Sequence, residues 1–238
     1  MPLTFRIVLV EPLHSGNVGS VARVMKNFGF CELVLLNPCE LDNPARWMAV
    51  HAYDIIEKAR IEFSLKDAVA GSNVIVGMTG LPGKTDNKHM RIPAISPRKL
   101  KEKLTGKNGV ISLLFGREDD GLHNDELELC DLIVNIPTSP DYPSMNLSHA
   151  VSVVLYELSD VQGGKDYLAD HVDIELLYEH IEDMLLDIEY KEHKKGKTNL
   201  MLQRILGRAE LTGREVQTLR GVLRRIQWKL KGNSDVEI

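Results

Sequence analysis

The sequence lacks several features that would place it in a specialised class of protein. No apolar run approaches the roughly 18 residues of a membrane-spanning helix, and no basic segment followed by an apolar one stands at the amino terminus. We therefore expect a cytoplasmic protein with no membrane partner. The three cysteines, Cys31, Cys39 and Cys130, form no C-x-x-C pair, which favours reduced thiols that behave as small buried hydrophobic residues. Because no histidine has metal-ligand spacing such as H-E-x-x-H, we expect no metal.

Two glycine-rich stretches differ from the known nucleotide-binding loops. Gly16-x-x-Gly19 is not G-x-G-x-x-G, so a dinucleotide site is not indicated, and tight-turn geometry is the alternative explanation for these glycines. Five residues, not the four of a P-loop, separate Gly77 from Gly83, and the segment that follows has no helical pattern. An NTPase is therefore disfavoured. The loop after Gly77 is expected to form a wall of a ligand-binding crevice.

Short apolar runs alternate with amphipathic segments through the first two thirds of the 238 residues. Strands are predicted at residues 5–10, 32–38, 73–78, 110–115 and 132–137. Helices are predicted from near residue 20 to Gly29 and at 44–59, 64–70, 96–104 and 147–158, with Ser96 as a cap. This alternation predicts an α/β fold in which a mostly parallel sheet has helices on both faces.

The loops that follow two of these strands are rich in small and polar residues. One runs from Gly116 to Gly121, and the other from Pro137 to Ser148. In open α/β sheets, ligands bind beyond the carboxyl ends of the strands, so both loops should border one crevice. The small residues at 148, 150 and 152 should let the following helix pack closely on the sheet.

Three motifs stand in a fixed order along the chain: Asn17-x-Gly19-x-x-x-Arg23, Gly116-x-Glu118-x-x-Gly121 followed by Ile136-Pro137, and Ser144-Met145-Asn146-Leu147-Ser148. Together they resemble the motifs of the SPOUT RNA methyltransferases, in the SpoU/TrmH-like branch that methylates ribose 2′-hydroxyls. The resemblance covers roughly the first 160 residues. It implies a carboxyl-terminal trefoil knot in this domain, S-adenosyl-L-methionine as the cofactor, and a homodimer paired through the knot.

The resemblance also implies roles for individual residues. Those implied for catalysis are Asn17, Arg23, Glu118, Ser144 and Asn146. Those implied for cofactor binding are Met78, Thr79, Gly80, Gly116, Ile136, Ser144, Met145 and Leu147. Because a guanidinium stays protonated in proteins, Arg23 is expected to position the 2′-oxygen and stabilise its developing charge, and to serve the cofactor of the partner subunit.

A second region begins after Leu158. Residues 161–170 are expected to link a methyltransferase domain at 1–160 to a small all-α domain at 171–238. Residues 171–190 are amphipathic, Thr198 or Asn199 is expected to cap a helix that runs through Arg208, and Thr212 and Glu215 form a capping box before the last helix.

Charge is segregated between the two regions. From Tyr190 to Lys231, twelve Lys or Arg stand against three acids, a net charge of +9, whereas the whole chain carries −5. Six arginines are predicted to bind RNA: Arg204, Arg208, Arg214, Arg220, Arg224 and Arg225. Solubility is the alternative explanation of this charge.

A SPOUT core followed by a basic helical domain resembles the TrmJ tRNA methyltransferase group. It implies 2′-O-methylation of nucleotide 32 of the tRNA anticodon loop, a cytidine, with uridine left open. The alternatives are a ribosomal RNA 2′-O-methyltransferase and a non-catalytic RNA-binding protein on the same fold.

Overall fold

The computed structural model describes residues 2–80 and 94–233, with side chains described as far as residue 231. The chain forms two compact units, Met1–Lys165 and Asp166–Ile238. The part of the Gly77 loop that follows Gly80, including Gly83, lies outside the described residues.

A parallel sheet forms the centre of the first unit. Its strands are β1 (Leu3–Val10), β2 (Glu32–Leu36), β3 (Arg60–Glu62), β4 (Val74–Met78), β5 (Lys107–Phe115) and β6 (Leu132–Val134). They pair in the order β3-β2-β1-β5-β4-β6, and every pairing along this order is parallel. The central strands β1 and β4 are buried over most of their length, as expected when helices cover both faces. The predicted α/β fold is confirmed.

The first unit has seven described helices: α1 (Ser15–Phe28), α2 (Asn43–Ala49), α3 (Tyr53–Glu57), α4 (Leu65–Ala68), α5 (Pro97–Leu104), α6 (Asn124–Glu128) and α7 (Leu147–Leu158). The Ser96 hydroxyl accepts the Lys99 N–H, which confirms the predicted cap of α5. Strand β3 and helix α6 were not predicted. Both are short, and β3 lies at the sheet edge with no buried apolar run that could identify it.

Helix α1 begins at Ser15, so the prediction of a loop through Gly19 and a helix from about residue 20 is wrong. The glycines lie inside the helix and do not form a tight turn. A Cβ atom on Gly19 would overlap the carbonyl oxygen of Ala45 in α2. Gly19 is therefore needed because two helices approach each other closely there.

The single helix predicted at 44–59 is interrupted. A 3₁₀ turn, Val50–Ala52, separates α2 from α3. Val50 has a φ of 53°, a left-handed conformation that β-branched residues rarely adopt, and this stops the regular helix.

The second unit contains a two-residue strand, β7 (Asp166–Tyr167), and the helices α8 (His171–Asp187), α9 (Glu192–Ala209) and α10 (Gly213–Asn233). Leu177, Ile181 and Leu185 of α8 pack with Val216 of α10 in its core. The capping box before α10 is confirmed, since Glu215 accepts the Thr212 N–H at 2.8 Å and the Thr212 hydroxyl accepts the Glu215 N–H at 3.4 Å.

The start predicted for α9 is wrong. The helix begins at Glu192, so neither Thr198 nor Asn199 caps it. The residues between Glu192 and Thr198 include several lysines, which have a high helix propensity, and they are helical. The Thr198 hydroxyl instead donates to the Tyr190 hydroxyl at 3.2 Å.

The cysteines are free, but only Cys130 is buried. Cys31 is exposed, which corrects the expectation that all three behave as buried hydrophobic residues. Within residues 2–80 and 94–233, no helix is long and apolar enough to span a membrane.

Candidate active site

The carboxylate of Glu118 connects the loop after β5 to the start of α1. Its Oε2 accepts the Leu13 N–H at 2.8 Å. Its Oε1 accepts the His14 N–H at 3.3 Å and the Nδ2–H of Asn17 at 2.8 Å. With three donors aimed at it, the carboxylate has a fixed position and orientation.

Asn17 extends this arrangement to the loop after β6. The Nδ2 of Asn146 donates to the Oδ1 of Asn17 at 3.2 Å. The Oδ1 of Asn146 accepts from the backbone N–H and the hydroxyl of Ser148, at 2.9 and 2.8 Å, and so caps α7. Glu118, Asn17 and Asn146 thus form one continuous polar wall from three distant parts of the sequence. We call these three residues the amide–carboxylate wall.

A second network holds the loop that carries Glu118. The side chain of Arg117 is 10% exposed. Its Nε donates to Glu11 at 2.9 Å, and its two terminal nitrogens donate to the two oxygens of Glu126 at 3.0 and 3.1 Å. Pairing with Glu126, and then with Glu11, raises the pKa of the Arg117 guanidinium above its ordinary value. Arg117 also lowers the pKa of the Glu11 carboxyl by hydrogen bonding to it.

The turn itself is closed by backbone hydrogen bonds between Arg117 and Gly121, at 3.1 and 3.0 Å. Gly121 has a φ of 69°, and a Cβ on Gly116 would overlap the backbone of Gly121. Both glycines of this motif are therefore required by local geometry.

An apolar cavity lies at the carboxyl edge of the sheet, between the loops after β4, β5 and β6. Seven of the eight residues predicted to bind the cofactor line it: Met78, Thr79, Gly80, Gly116, Ile136, Met145 and Leu147. Phe115, Val134, Thr138, Pro143 and Ala150 also line it and were not predicted. The loops are tied together, since Thr79 N–H donates to the Val134 carbonyl at 2.9 Å and the Asn135 side chain donates to the Thr79 carbonyl at 2.8 Å.

A polar cavity contains the rest of the predicted site. Its lining residues are His14, Asn17, Glu118, Tyr142, Ser144, Met145, Asn146 and His149. Glu118 and Met145 line both cavities. His14, Tyr142 and His149 were not predicted from the sequence. Two of them lie close in sequence to predicted site residues. His14 lies three residues before Asn17, and His149 lies three residues after Asn146, in the first turn of α7.

Arg23 is separate from the other predicted catalytic residues. It lies on an exposed part of α1 and lines neither of the two cavities just described. A single copy of the chain thus brings Asn17, Glu118, Ser144 and Asn146 to one cavity, and Arg23 is not among the residues that line it.

The six arginines predicted to bind RNA differ in their surroundings. Arg208, Arg214, Arg224 and Arg225 are exposed, whereas Arg204 and Arg220 are partly buried. Arg220 has a terminal nitrogen 3.9 Å from Asp173 of α8. Its position is therefore explained in part by packing between α8 and α10.

Among the described residues, no group of His, Cys, Asp or Glu could hold a metal ion. The loops at the carboxyl edge instead combine an apolar cavity with a hydrogen-bonded polar wall. An α/β domain with this arrangement is suited to binding a small organic cofactor beside a second, polar substrate.

Family models identify both units. Residues 4–156 match the SpoU rRNA methylase family, and residues 172–235 match the carboxyl-terminal domain of the tRNA methyltransferase TrmJ. The chain belongs to the SpoU rRNA methylase family and is a methyltransferase.

Individual relatives extend over almost the whole chain. The tRNA (cytidine-2′-O-)-methyltransferase TrmJ of Methanocaldococcus jannaschii is 40% identical, over 92% of this chain and 98% of its own length. The tRNA (cytidine/uridine-2′-O-)-methyltransferase TrmJ of Salmonella typhimurium is 37% identical, over 95% of this chain and 98% of its own. The crystal structure of TrmJ from Z. mobilis superposes with a TM-score of 0.75 at 28% identity, covering 93% of this chain and 98% of that one.

Proposed function

We propose that this protein is a tRNA 2′-O-methyltransferase that uses S-adenosyl-L-methionine to methylate the ribose of nucleotide 32, a cytidine, with uridine at that position left as an open alternative. The observation that carries the proposal is the amide–carboxylate wall, which lies between an apolar cavity and a polar one. The TrmJ names of the relatives support tRNA as the substrate, because the similarity includes the basic carboxyl-terminal unit.

The apolar cavity fits the proposed cofactor. Met78, Ile136 and Leu147 offer apolar walls for an adenine ring, and the loop backbones offer hydrogen-bonding groups. The carboxylate of Glu118, which borders this cavity, complements a positive charge. When bound, S-adenosyl-L-methionine supplies a methyl group on a positively charged sulfonium.

The polar cavity fits a ribose and its neighbouring phosphate. Asn17 and Asn146 already hold each other's amides in a fixed orientation, and the exposed Ser144 hydroxyl can hydrogen-bond a ribose oxygen. A neutral alcohol is a weak nucleophile, so its proton must be removed or its developing charge stabilised. We assign charge stabilisation to Arg23, whose guanidinium can hold the 2′-oxygen and an adjacent phosphate.

We infer that Arg23 acts at this site from a second copy of the chain. Its exposed position on α1, outside the lining of both cavities, supports a homodimer in which each subunit completes the other's site. The family resemblance gives the same arrangement, with the subunits paired through the knot. The exposed apolar residues Val153 and Tyr156 on α7 are available for such a contact.

The direct test is single-turnover methylation of an unmodified tRNA transcript, followed by mapping of the methylated nucleotide. We expect one methyl group at nucleotide 32 and none on a transcript that carries a 2′-deoxyribose there. Methylation of ribosomal RNA in preference to tRNA would instead favour a ribosomal RNA 2′-O-methyltransferase. Binding of RNA without calorimetric binding of S-adenosyl-L-methionine would favour a non-catalytic protein.

Arg23 is tested first by single substitutions. Arg23→Ala should slow single-turnover methylation strongly, and Arg23→Lys should restore it poorly because an ammonium lacks the planar fork. Rates near wild type in both variants would remove Arg23 from the mechanism.

Co-expression of two inactive variants tests the shared site. Arg23→Ala and Glu118→Ala should each be inactive as homodimers, whereas their heterodimer contains one intact site. Co-expressed together, they should recover about a quarter of the wild-type activity, since half of the dimers would carry one working site of two. No recovery from isolated heterodimers would contradict the shared site.

A further inference from the structure

The carboxyl half of α10 projects an apolar and basic face outside the core of its unit. Val216 is buried and Leu219 and Leu223 pack against the core, but Ile226 is 40% exposed and Trp228 is 60% exposed. Gln227 keeps the helix against α8, since its Nε2 donates to Asp187 at 2.8 Å and its Oε1 lies 2.7 Å from His180. These contacts hold this part of α10 in place against α8.

Cations surround Trp228. The guanidinium of Arg225 lies 4.4 Å from the centre of the indole ring. Arg224 and Lys231 are neighbours on the helix at i−4 and i+3, and Lys229 is adjacent in sequence. Residues 216–231 contain no acidic residue. Asp187 of α8 lies 3.8 Å from Lys231 and offsets that cation, whereas Arg224, Arg225 and Lys229 have no acidic residue beside them on α10. These three cations favour a negatively charged partner, and the exposed indole favours one that also offers a flat group.

An unpaired nucleotide of RNA meets both requirements. Bases stack on exposed aromatic rings and on arginine guanidinium planes, while the flanking phosphates are attracted by lysine and arginine. The adjacent helix surface is also open, because a Cβ atom on Gly221, two turns before Trp228, would meet no atom within 4 Å. An acidic protein segment would satisfy the charge but has no comparable set of flat rings next to each negative group.

We propose that Trp228, together with Arg225, is a stacking site for an unpaired base of the RNA substrate, with Arg224 and Lys229 contacting the flanking phosphates. The inference rests on the proposed function for the nature of the substrate. It concerns binding by the second unit, whereas the proposed reaction takes place at the amide–carboxylate wall of the first.

Binding of unmodified tRNA by a Trp228 series gives the first test. Trp228→Ala should weaken the affinity roughly tenfold, and Trp228→Phe should retain most of it because a smaller ring still stacks. Because stacking releases no counterions, the slope of affinity against salt should not change in Trp228→Ala, whereas it should fall by about one in Lys229→Ala. Trp47, which is 70% exposed in the first unit, provides the matched control, since Trp47→Phe should bind tRNA as wild type does.

Tryptophan fluorescence gives the second test. In the Trp47→Phe variant, Trp228 is the one remaining tryptophan of the chain's two. A single-stranded oligoribonucleotide should quench its emission through stacking, and an RNA duplex of the same length should quench it much less. Equal quenching by both, or none by the single strand, would overturn the proposal.

Other results separate this inference from the proposed function. If Trp228→Ala left tRNA affinity unchanged but lowered the oligomer mass in sedimentation, the face would be a contact between copies of the chain and the stacking site would be wrong. If quenching and the affinity loss occurred as expected but tRNA were not methylated at nucleotide 32, the proposed function would fail and the stacking site would stand.

Discussion

Arg117 of the first unit and the exposed arginines of the second unit have opposite surroundings. In the first unit, Arg117 is 10% exposed and pairs with two carboxylates, while Glu118 accepts three hydrogen bonds. In the second unit, Arg214 and Arg225 are exposed on helix faces. A reaction site needs groups that are oriented before the substrate arrives, whereas a polyanion can be held by many nearly independent charges. Substitutions should therefore have large, coupled effects in the first unit and small, additive effects in the second.

The largest difference in stability between the two units is expected between Arg117→Met and Arg214→Met. Arg117→Met would leave the nearly buried Glu126 carboxylate without its cation, and should lower the free energy of unfolding of the first unit by about 3 kcal/mol. Arg214→Met, at an exposed site of the second unit, should change stability by less than about 0.5 kcal/mol. Urea unfolding of the full chain, followed by probes in each unit, measures both.

Coupling can be tested in the same series. Adding Glu126→Gln to Arg117→Met removes the unpaired charge and should recover part of the lost stability. If Arg117→Met and Arg214→Met had equal effects, or if the double variant were simply additive, the contrast between the two units would be wrong.

The sheet and the motif loops after β5 and β6 could be predicted from sequence because short apolar strands and their order leave few arrangements for a parallel sheet. The first residue of α1 could not be predicted from the sequence. Gly16, Asn17 and Gly19 favour turns by intrinsic propensity, and only packing against α2 makes them helical.

The candidate site could be predicted only in part, for a similar reason. The family resemblance implied roles for Glu118 and Asn146, but it could not show that Asn17 hydrogen-bonds to both of them. Tyr142 lines the polar cavity because of the conformation of an irregular loop. Hydrophobic periodicity in the sequence cannot predict the conformation of such a loop. Arg23 is proposed to act at the site of a second subunit. The sequence of a single chain therefore cannot show which residues Arg23 contacts.

Close packing in the first unit predicts the next largest effect. Gly19→Ala should destabilise the first unit by about 2 kcal/mol, because the new methyl group would overlap the Ala45 carbonyl and force α1 away from α2. Since Asn17 lies on the same helix, methylation should slow as well. A variant with unchanged thermal unfolding would show that this helix contact is adjustable, and that the first unit is less rigid than its hydrogen bonds indicate.

Removal of only the negative charge of Glu118 should have a smaller effect, and on the rate of methylation. Glu118→Gln keeps the shape, but it presents an NH₂ group where one of the carboxylate oxygens accepted a backbone N–H. Single-turnover methylation should slow by roughly tenfold, which corresponds to about 1.4 kcal/mol. The exposed neighbour provides the control, since Asp119→Asn should leave the rate unchanged. Equal rates in the two variants would mean that the wall does not need a negative charge.

The smallest effect should have the opposite sign. Gly221 lies inside α10, and a Cβ atom there would meet nothing within 4 Å. Gly221→Ala should therefore stabilise the helical unit by about 0.5–1 kcal/mol, because alanine loses less backbone entropy in a helix than glycine does. The same substitution thus destabilises one unit at Gly19 and stabilises the other at Gly221. If thermal unfolding showed a loss at Gly221 too, this part of α10 would have to be packed against something, and the view of the second unit as an open, exposed surface would be wrong.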